Sequence, residues 1–167
     1  NGSKNTWLNT RGVRIQANIG KNFYFESSFY ENQGVFPYYL DSYSRKNAVV
    51  PGQGGIKDYS NGKAFDYNYA SALLSFTPNK YLNVTMGYGQ NMIGDGYRSL
   101  LLSDISFSYP YLKVTGTLGN VQYTSMWAQF MDLHTKNVGQ AYRDLGYTKK
   151  WGVFHFLDWN VSKKLTI

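Results

Sequence analysis

Apolar and polar residues alternate along several stretches of the chain, and the clearest of these covers residues 11–20. Alternation with a period of two residues is typical of a half-buried β-strand. The apolar positions of this stretch are Val13, Ile15, Ala17 and Ile19. A tight turn is predicted at 20–22, and the alternation resumes over 23–30, where Phe23, Phe25 and Phe29 share one face. The pattern therefore predicts a long β-hairpin with one apolar face and one polar face.

The same alternation predicts more strands further along the chain. They cover residues 65–77, 81–90, 111–118, 121–131 and 151–159, with the start of another strand at 165–167. In the strand 121–131 we expect Met126, Ala128 and Phe130 on the apolar face, with Ser125 and Gln129 on the polar face. The chain thus supplies about seven strands and the beginning of an eighth.

Short and long connections alternate between these strands. The short connections lie at 20–22, 78–80, 119–120 and 160–164, and the long ones lie at about 31–64, 91–109 and 132–150. Bacterial outer-membrane barrels combine short periplasmic turns with long extracellular loops. Aromatic residues near the predicted strand ends suit the interfacial girdles of such barrels: Trp7, Tyr30, Tyr81, Tyr111, Trp151 and Trp159.

The pattern favours an all-β fold, a transmembrane antiparallel up-and-down β-barrel of which about seven to eight strands are present. A soluble β-sandwich or jelly roll remains the alternative, although its strands are usually shorter. No stretch approaches the ~20 apolar residues of a membrane-spanning helix, and no signal peptide is visible at the start of the chain. We expect residues 1–167 to be part of a single outer-membrane β-barrel domain that continues beyond both ends.

Distinctive motifs lie in the first two long connections. The first contains ENQ at 31–33 and VVPGQGGIKDY at 49–59, and the run GQNMIGDGYRSLLLSD at 89–104 precedes YPYLK at 109–113. These motifs resemble the capsule-assembly (Wzi-like) outer-membrane protein family, whose Bacteroidota members are described as similar to the gliding-motility protein RemB. The resemblance implies a cell-surface barrel that takes part in capsule assembly through polysaccharide binding, or in gliding motility. No individual sugar-binding residue of the family is matched to a residue of this sequence.

The second long connection offers a candidate site. Gly94 and Gly96 permit a tight backbone around Asp95, which we expect to cap a helical turn over 97–103. We also expect the leucines at 100–102 to fold inward, and Arg98 to pair with a neighbouring carboxylate. Either the connection is a structural plug or latch, or it contacts a ligand directly. Its candidate ligand-binding residues are Asp95, Tyr97, Arg98 and Asp104.

Tyrosines and basic residues are frequent in and around the first long connection. They are Tyr38, Tyr39, Tyr43, Tyr59 and Tyr67 with Arg45, Lys46 and Lys57. Aromatic faces stack on sugar rings, and cations attract acidic polysaccharide or the phosphates of lipopolysaccharide. Tyr38, Tyr39 and Lys57 are therefore candidate ligand-binding residues. The alternative is that the tyrosines only line loops and girdles.

Composition excludes several functions. The chain contains no Cys, two His, and 17 Lys and Arg against 10 Asp and Glu, which gives a net charge of +7. The basic residues are scattered, so we expect no nucleic-acid partner. Ligand spacing for a metal is absent, and we expect no cofactor. His155 lies within a predicted strand, where a role in the barrel wall is favoured over catalysis.

We therefore expect a non-enzymatic protein of the bacterial outer membrane. Its partners would be outer-membrane lipid and lipopolysaccharide, surface polysaccharide, and other outer-membrane proteins. Two alternatives stay open: a porin-like channel with a polar lumen, and a membrane-embedded hydrolase that uses His134 or His155 with a serine.

Overall fold

The structure is a computed structural model that describes residues 5–59, 61–136 and 147–167. The side chains of residues 58, 59, 132–136, 147 and 148 lie outside this description. The predictions for the middle of the third long connection and for the side chains of Tyr59 and His134 therefore fall outside the described residues.

Strands make up most of the described chain. They are β1 (Trp7–Ile19), β2 (Phe23–Val35), β3 (Val49–Val50), β4 (Gly54–Tyr59), β5 (Ala64–Asn79), β6 (Leu82–Gly89), β7 (Tyr109–Leu118), β8 (Val121–Lys136), β9 (Tyr147–Ser162) and β10 (Leu165–Thr166). The helix α1 (Tyr38–Asn47) lies between β2 and β3. Within the described ranges, no helix has the length and hydrophobicity needed to cross a bilayer.

The strands form one sheet in the order β1-β2-β5-β6-β7-β8-β9-β10, and β4 pairs with both β3 and β5. Strands that follow one another along the chain are therefore mostly neighbours in the sheet, as in a meander. The registers of β7 with β8 and of β8 with β9 are antiparallel. The predicted all-β antiparallel fold is confirmed.

The predicted short turns are present, and the one after β5 lies slightly later than expected. We predicted a turn at 78–80, but β5 continues to Asn79. The side-chain Oδ1 of Asn79 accepts hydrogen bonds from the backbone N–H of Tyr81 at 2.9 Å and of Leu82 at 3.1 Å. Asparagine commonly builds turns in this way. These two hydrogen bonds place the reversal of the chain at residues 80 and 81.

The first long connection contains regular structure that its irregular sequence pattern did not predict. It holds the end of β2, helix α1, and the hairpin of β3 and β4. Helix α1 ends at Ala48, which adopts a left-handed conformation with φ 56°. A small hydrophobic core, here called the loop core, explains the folding of this segment; its buried members are Phe36, Val50, Ile56, Phe65 and Tyr67.

The chain forms two compact units. The first comprises Asn1–Ala17, Phe25–Leu73 and Tyr88–Ser108, and the second comprises Asn18–Tyr24, Leu74–Gly87 and Tyr109–Ile167. In the first unit, the polar face of the predicted hairpin is held by side-chain contacts. Arg14 lies 2.7 Å from Glu26 in an ion pair, and Glu26 also accepts a hydrogen bond from Gln16 at 2.9 Å.

The second unit has one exposed face that is almost entirely apolar. This face, here called the β7–β9 face, is built from alternate residues of three paired strands. Its large exposed members are Leu112, Leu118, Tyr123, Trp127, Met131, Trp151, Val153, Leu157, Trp159 and Val161. Across β7, residues 121–131 of β8 and residues 151–161 of β9, no position of this face carries a charged side chain, and Lys149, opposite Met131, adds a cation at its edge.

The opposite face of β7, β8 and β9 is buried and mixed in character. Met126 and Ala128 lie there with relative exposures of 1% and 0%. The hydroxyls of Thr115 and Thr124 are 3.3 Å apart on the same side. Lys113 pairs with Met126 in the register and so shares this face. The exposed side of these strands is therefore more apolar than the buried side.

One prediction about side-chain direction was wrong. Met126, Ala128 and Phe130 do share a face of β8, but Met126 and Ala128 are buried. The exposed face is the one on which Leu112 of β7 and Val153 of β9 lie opposite Trp127.

Tyr30 and Tyr111 are half-buried, and the ring of Tyr30 packs over Gly12. Their place in an interfacial girdle stays a prediction.

Candidate functional site

Helix α1 presents tyrosines on its exposed side. Tyr38 and Tyr39 form its first turn, with relative exposures of 88% and 74%. Tyr43 is also exposed, and it lies one helical turn after Tyr39, so the two rings share a side of the helix. The predicted candidates Tyr38 and Tyr39 therefore lie together on a surface that also includes Tyr43.

Arg45 holds α1 against the loop core. Its guanidinium lies over the ring of Phe65, 4.6 Å from the centroid, and pairs with Asp41 at 3.0 Å. It also donates a hydrogen bond to the carbonyl of Gly62 at 2.6 Å. Arg45 was predicted as part of a charge-pairing surface for a ligand, but these three contacts make it the anchor of the helix.

The loop core provides the rigid base under α1. The rings of Phe36 and Phe65 stack with centroids 5.1 Å apart, and Tyr67 packs against Phe36 at 5.8 Å. Tyr67 is 7% exposed, so its neighbours cover almost all of its ring. Tyr67 is thus a core residue, and it is not available to stack on a ligand.

Lys57 lies on β4 with an exposed side chain. It stands opposite Asp66 of β5 in the register. Among the described residues, no hydrogen bond, ion pair or ring contact joins Lys57 to Tyr38 or Tyr39. The structure therefore keeps Lys57 as a separate exposed cation near the base of the same folded connection.

The second long connection is a pinned loop, and its conformation differs from the prediction. An isolated β-bridge joins Ile93 to Leu102, and residues 97–103 form no helical turn. Ser99 takes the capping role expected of Asp95. Its Oγ donates to the carbonyl of Ile93 and accepts from the backbone N–H of Leu101 at 3.1 Å and of Leu102 at 3.3 Å.

Most of the loop side chains point outward. Of the three leucines, only Leu102 is buried, whereas Leu100 is fully exposed and Leu101 is 70% exposed. The expectation that all three fold inward was wrong, because the bridge turns only Leu102 toward the interior. Tyr97 is 91% exposed, so this loop presents an aromatic and aliphatic surface.

The charged candidates of this loop are exposed and separate. Asp95, Arg98 and Asp104 are all on the surface. The guanidinium of Arg98 lies 5.7 Å from the ring centroid of Tyr97. In the part of the chain that the structure describes, Arg98 forms no ion pair with Asp95 or Asp104. The predicted pairing was wrong, and Arg98 instead forms a cation–π contact.

A glutamine that we did not predict connects the two loops. The side-chain amide of Gln90 donates to the carbonyl of Gly52 at 3.1 Å and to the carbonyl of Ser106. Gly52 adopts φ 70°, and a Cβ at this position would lie 2.8 Å from the carbonyl oxygen of Ile105. Gln90 comes directly after the last residue of β6, and a polar side chain at this strand end was the signal available in the sequence.

Groups that would indicate catalysis or metal binding are sparse. Within the described residues, no three His, Asp or Glu side chains form a group that suits a metal ion. His155 Nδ1 is 2.8 Å from the hydroxyl of Tyr123, and their rings stack. The role of His134 stays a prediction, because its side chain lies outside the described residues.

The site thus consists of two surfaces in the first unit, one on α1 and one on the pinned loop. Among the described residues, no hydrogen bond, ion pair or ring contact joins the tyrosines of α1 to residues 95–104. No protein-family model, curated protein or solved structure matches the chain. The geometry of its own residues therefore carries the functional argument.

Proposed function

We propose that the chain forms the wall and surface loops of a non-enzymatic outer-membrane β-barrel of the Wzi-like type, whose loops bind or organise surface polysaccharide. Outer-membrane lipid and lipopolysaccharide surround its strands. Other proteins of the cell surface, including motility components, are further partners in this proposal.

The observation that carries the proposal is the polarity of the β7–β9 face. A water-soluble sheet turns its apolar side toward a core, but here the more apolar side is the exposed one. An apolar patch of this size needs a nonpolar cover. Barrel strands in a bilayer alternate apolar side chains toward lipid with polar ones toward the lumen, and this arrangement accounts for both faces.

The length of β9 also supports its placement across a bilayer. Trp151 and Trp159 are exposed on the β7–β9 face, and Val153, His155 and Leu157 lie between them on that face. A transmembrane strand needs about nine to eleven residues when tilted, which is close to the span from one tryptophan to the other. Tryptophan prefers the two membrane–water interfaces, so these two residues suit the two girdles.

The loop surfaces support polysaccharide as the ligand class. Tyr38, Tyr39 and Tyr97 are exposed rings on segments that Arg45 and Ser99 hold in place. Segments that are already ordered bind a sugar with less loss of backbone conformational entropy. Asp95 and Asp104 supply acceptors for sugar hydroxyls, and Lys57 and Arg98 supply cations for acidic sugars or phosphate.

Membrane placement is tested by reconstitution of the full chain into liposomes of bacterial outer-membrane lipids. We expect the protein to resist extraction by alkaline carbonate and urea, and the tryptophan fluorescence to be quenched by brominated acyl chains. A protein that is released into the supernatant, with tryptophans accessible to aqueous quenchers only, would falsify the membrane assignment.

Polysaccharide binding is tested with the surface glycan of the source bacterium and the reconstituted protein. Replacing Tyr38 and Tyr39 together by Ala is expected to weaken binding by about tenfold or more, because each ring contributes about 0.5–1.5 kcal/mol when it stacks. Tyr81→Ala is the matched control, since Tyr81 is an exposed tyrosine in a short turn. Equal affinities for the parent protein, the Tyr38 and Tyr39 double variant and the Tyr81→Ala control would exclude α1 from the binding surface.

A porin-like channel is the second candidate, and a hydrogen-bonded polar network on β5 and β6 favours it. Asn83 donates to Ser75 at 2.7 Å and to Thr77 at 2.8 Å. Such side chains suit a polar lumen. Planar-bilayer recording separates the two candidates: a large steady conductance supports the channel, and a silent protein that still binds glycan supports the first proposal.

A further inference from the structure

The short turns that join β1 to β2, β5 to β6, β7 to β8 and β9 to β10 contain lysines and no acidic residue. These turns, here called the turn rim, lie at 20–22, 80–81, 119–120 and 163–164. Their lysines are all exposed: Lys21, Lys80, Lys163 and Lys164. All ten Asp and Glu residues of the chain lie outside the rim. Among the described residues, none of these four lysines forms an ion pair, so the rim is cationic.

Backbone hydrogen bonds join the four turns to one another through the strands. The last residues of β5, β7 and β9 donate to carbonyls of the preceding turns at 2.8, 2.7 and 2.9 Å, and the pairs are Thr77 with Asn22, Thr117 with Tyr81, and Asn160 with Asn120. All four turns belong to the second unit. Neighbouring strands lie about 4.8 Å apart, so consecutive turns follow one another at about 10 Å along the rim.

Large apolar side chains are exposed within two residues of every turn. They are Ile19, Phe23, Leu82, Leu118, Val161 and Leu165. In the second turn, Nζ of Lys80 lies 4.9 Å from the ring centroid of Tyr81. Cations at the tips of strands, with apolar and aromatic side chains next to them, match a lipid surface, where phosphates lie outside the acyl chains. A nucleic acid or an acidic protein offers anions without such an apolar layer behind them.

An open cavity lies at the turn between β9 and β10. Its volume is about 640 Å³, and it is lined by Asn160, Ser162, Lys163, Lys164, Leu165 and Thr166. The Thr166 hydroxyl donates to Oδ1 of Asn160 at 2.7 Å, and the Ser162 hydroxyl accepts from the backbone N–H of Lys164 at 3.2 Å. Ammonium groups bind phosphate oxygens, and hydroxyl and amide groups bind the hydroxyls of a glycerol. The cavity therefore has the chemistry that a phosphatidylglycerol headgroup requires.

We propose that the turn rim binds the headgroups of anionic glycerophospholipid, of which phosphatidylglycerol is the representative, at one surface of the membrane. This inference rests on the proposed membrane placement. The short connections of outer-membrane barrels are periplasmic, so the lipid is that of the periplasmic leaflet and not the lipid A of the outer leaflet. Each lysine close to an anionic lipid surface adds to the attraction.

The headgroup preference is measured with spin-labelled lipids. The full chain is reconstituted into phosphatidylcholine liposomes that contain a trace of spin-labelled phosphatidylglycerol, phosphatidylcholine or lipid A, and the motionally restricted fraction of each label is determined. We expect phosphatidylglycerol to associate about threefold or more strongly than phosphatidylcholine, because several lysines face its charge. The preference should disappear at about 1 M salt, where the Debye length is only about 3 Å.

Matched variants test the lysines themselves. Changing all four to Gln removes their charges and should abolish the preference, whereas changing all four to Arg keeps the charges and should retain it. Carbonate extraction is measured on every sample. A parent protein that inserts but restricts both phospholipids equally, or that prefers lipid A, overturns this inference alone. So does a Gln variant that inserts and keeps the preference. Failure of the parent protein to insert overturns the proposed function as well.

Discussion

The loop core and the β7–β9 face use the same residue types in opposite ways. In the loop core, Phe65 has no exposed surface and stacks on Phe36 under helix α1. On the β7–β9 face, Trp151 is 70% exposed and the buried side holds Lys113 and Thr124 instead. The first region follows the rule for proteins in water, whereas the second has the polarity that the proposed membrane placement requires. The comparison teaches that the same residue types can be buried in one region and exposed in the other, so composition alone does not distinguish them.

The largest expected effect is the loss of the loop core. Phe65→Ala removes the ring that contacts both Phe36 and the guanidinium of Arg45. Truncation of a buried phenylalanine costs about 3–5 kcal/mol of stability. We expect local unfolding of the α1 segment, measured as faster cleavage by trypsin after Arg45 and Lys46. Tyr38→Ala is the control at an exposed position, and it should change the cleavage rate little; equal rates for both variants would contradict a packed core here.

The next effect separates the two regions directly. Leu157 on the β7–β9 face and Leu101 on the pinned loop are both exposed leucines. Under the proposed placement, Leu157→Arg puts a charge between the bilayer midplane, where it costs about 2–4 kcal/mol, and the interface marked by Trp159, where it costs about 0–1 kcal/mol. We therefore expect it to destabilise the liposome-embedded protein by more than about 1 kcal/mol. Leu101→Arg should lie within about 0.5 kcal/mol of the parent, as for most surface substitutions. Urea titration in liposomes measures both, and similar small effects would mean that water, not lipid, covers the β7–β9 face.

The contrast between the two regions also explains which parts of the fold the sequence could predict. The strands were predictable because alternation is a local property, and the turn positions follow from Gly and Asn. Helix α1 was not, because its stability comes from the contact of Arg45 with Phe65 and Gly62, which are distant in sequence. The prediction of which β8 side chains are exposed was wrong for a related reason. Both of its faces contain apolar residues, so only pairing with β7 and β9 decides which face is exposed.

The candidate site was predictable by segment but not by residue. Its loops were identified correctly as segments, and Tyr38, Tyr39 and Tyr97 are exposed on them. The contacts inside the loops were not predictable. Ser99 and Asp95 are both good capping residues, and only the bridge between Ile93 and Leu102 selects Ser99.

A third prediction concerns the junction between the two loops. Gly52 and Gly20 both adopt positive φ, 70° and 65°, but a Cβ at Gly52 would lie 2.8 Å from the carbonyl of Ile105, whereas nothing lies within 4 Å at Gly20. Gly20→Ala should therefore cost only the conformational penalty of about 1–2 kcal/mol. Gly52→Ala should cost more than this, and it should also speed hydrogen exchange near Ser106 as the Gln90 contact is lost. Equal costs would show that the loops are not in close contact.

The smallest expected effect concerns the hydrogen bonds that order the pinned loop. Ser99→Ala removes the hydroxyl that joins Ile93, Leu101 and Leu102, a loss of about 1 kcal/mol for such bonds. Ser103→Ala is the matched control, because its hydroxyl makes only a 3.5 Å contact with Asp104. Hydrogen exchange at Leu101 and Leu102 should accelerate about fivefold in the first variant and remain unchanged in the second. The Ser99→Ala variant should also bind glycan more weakly than the Ser103→Ala variant. The reason is that binding depends on the order of the loop as well as on its exposed Tyr97.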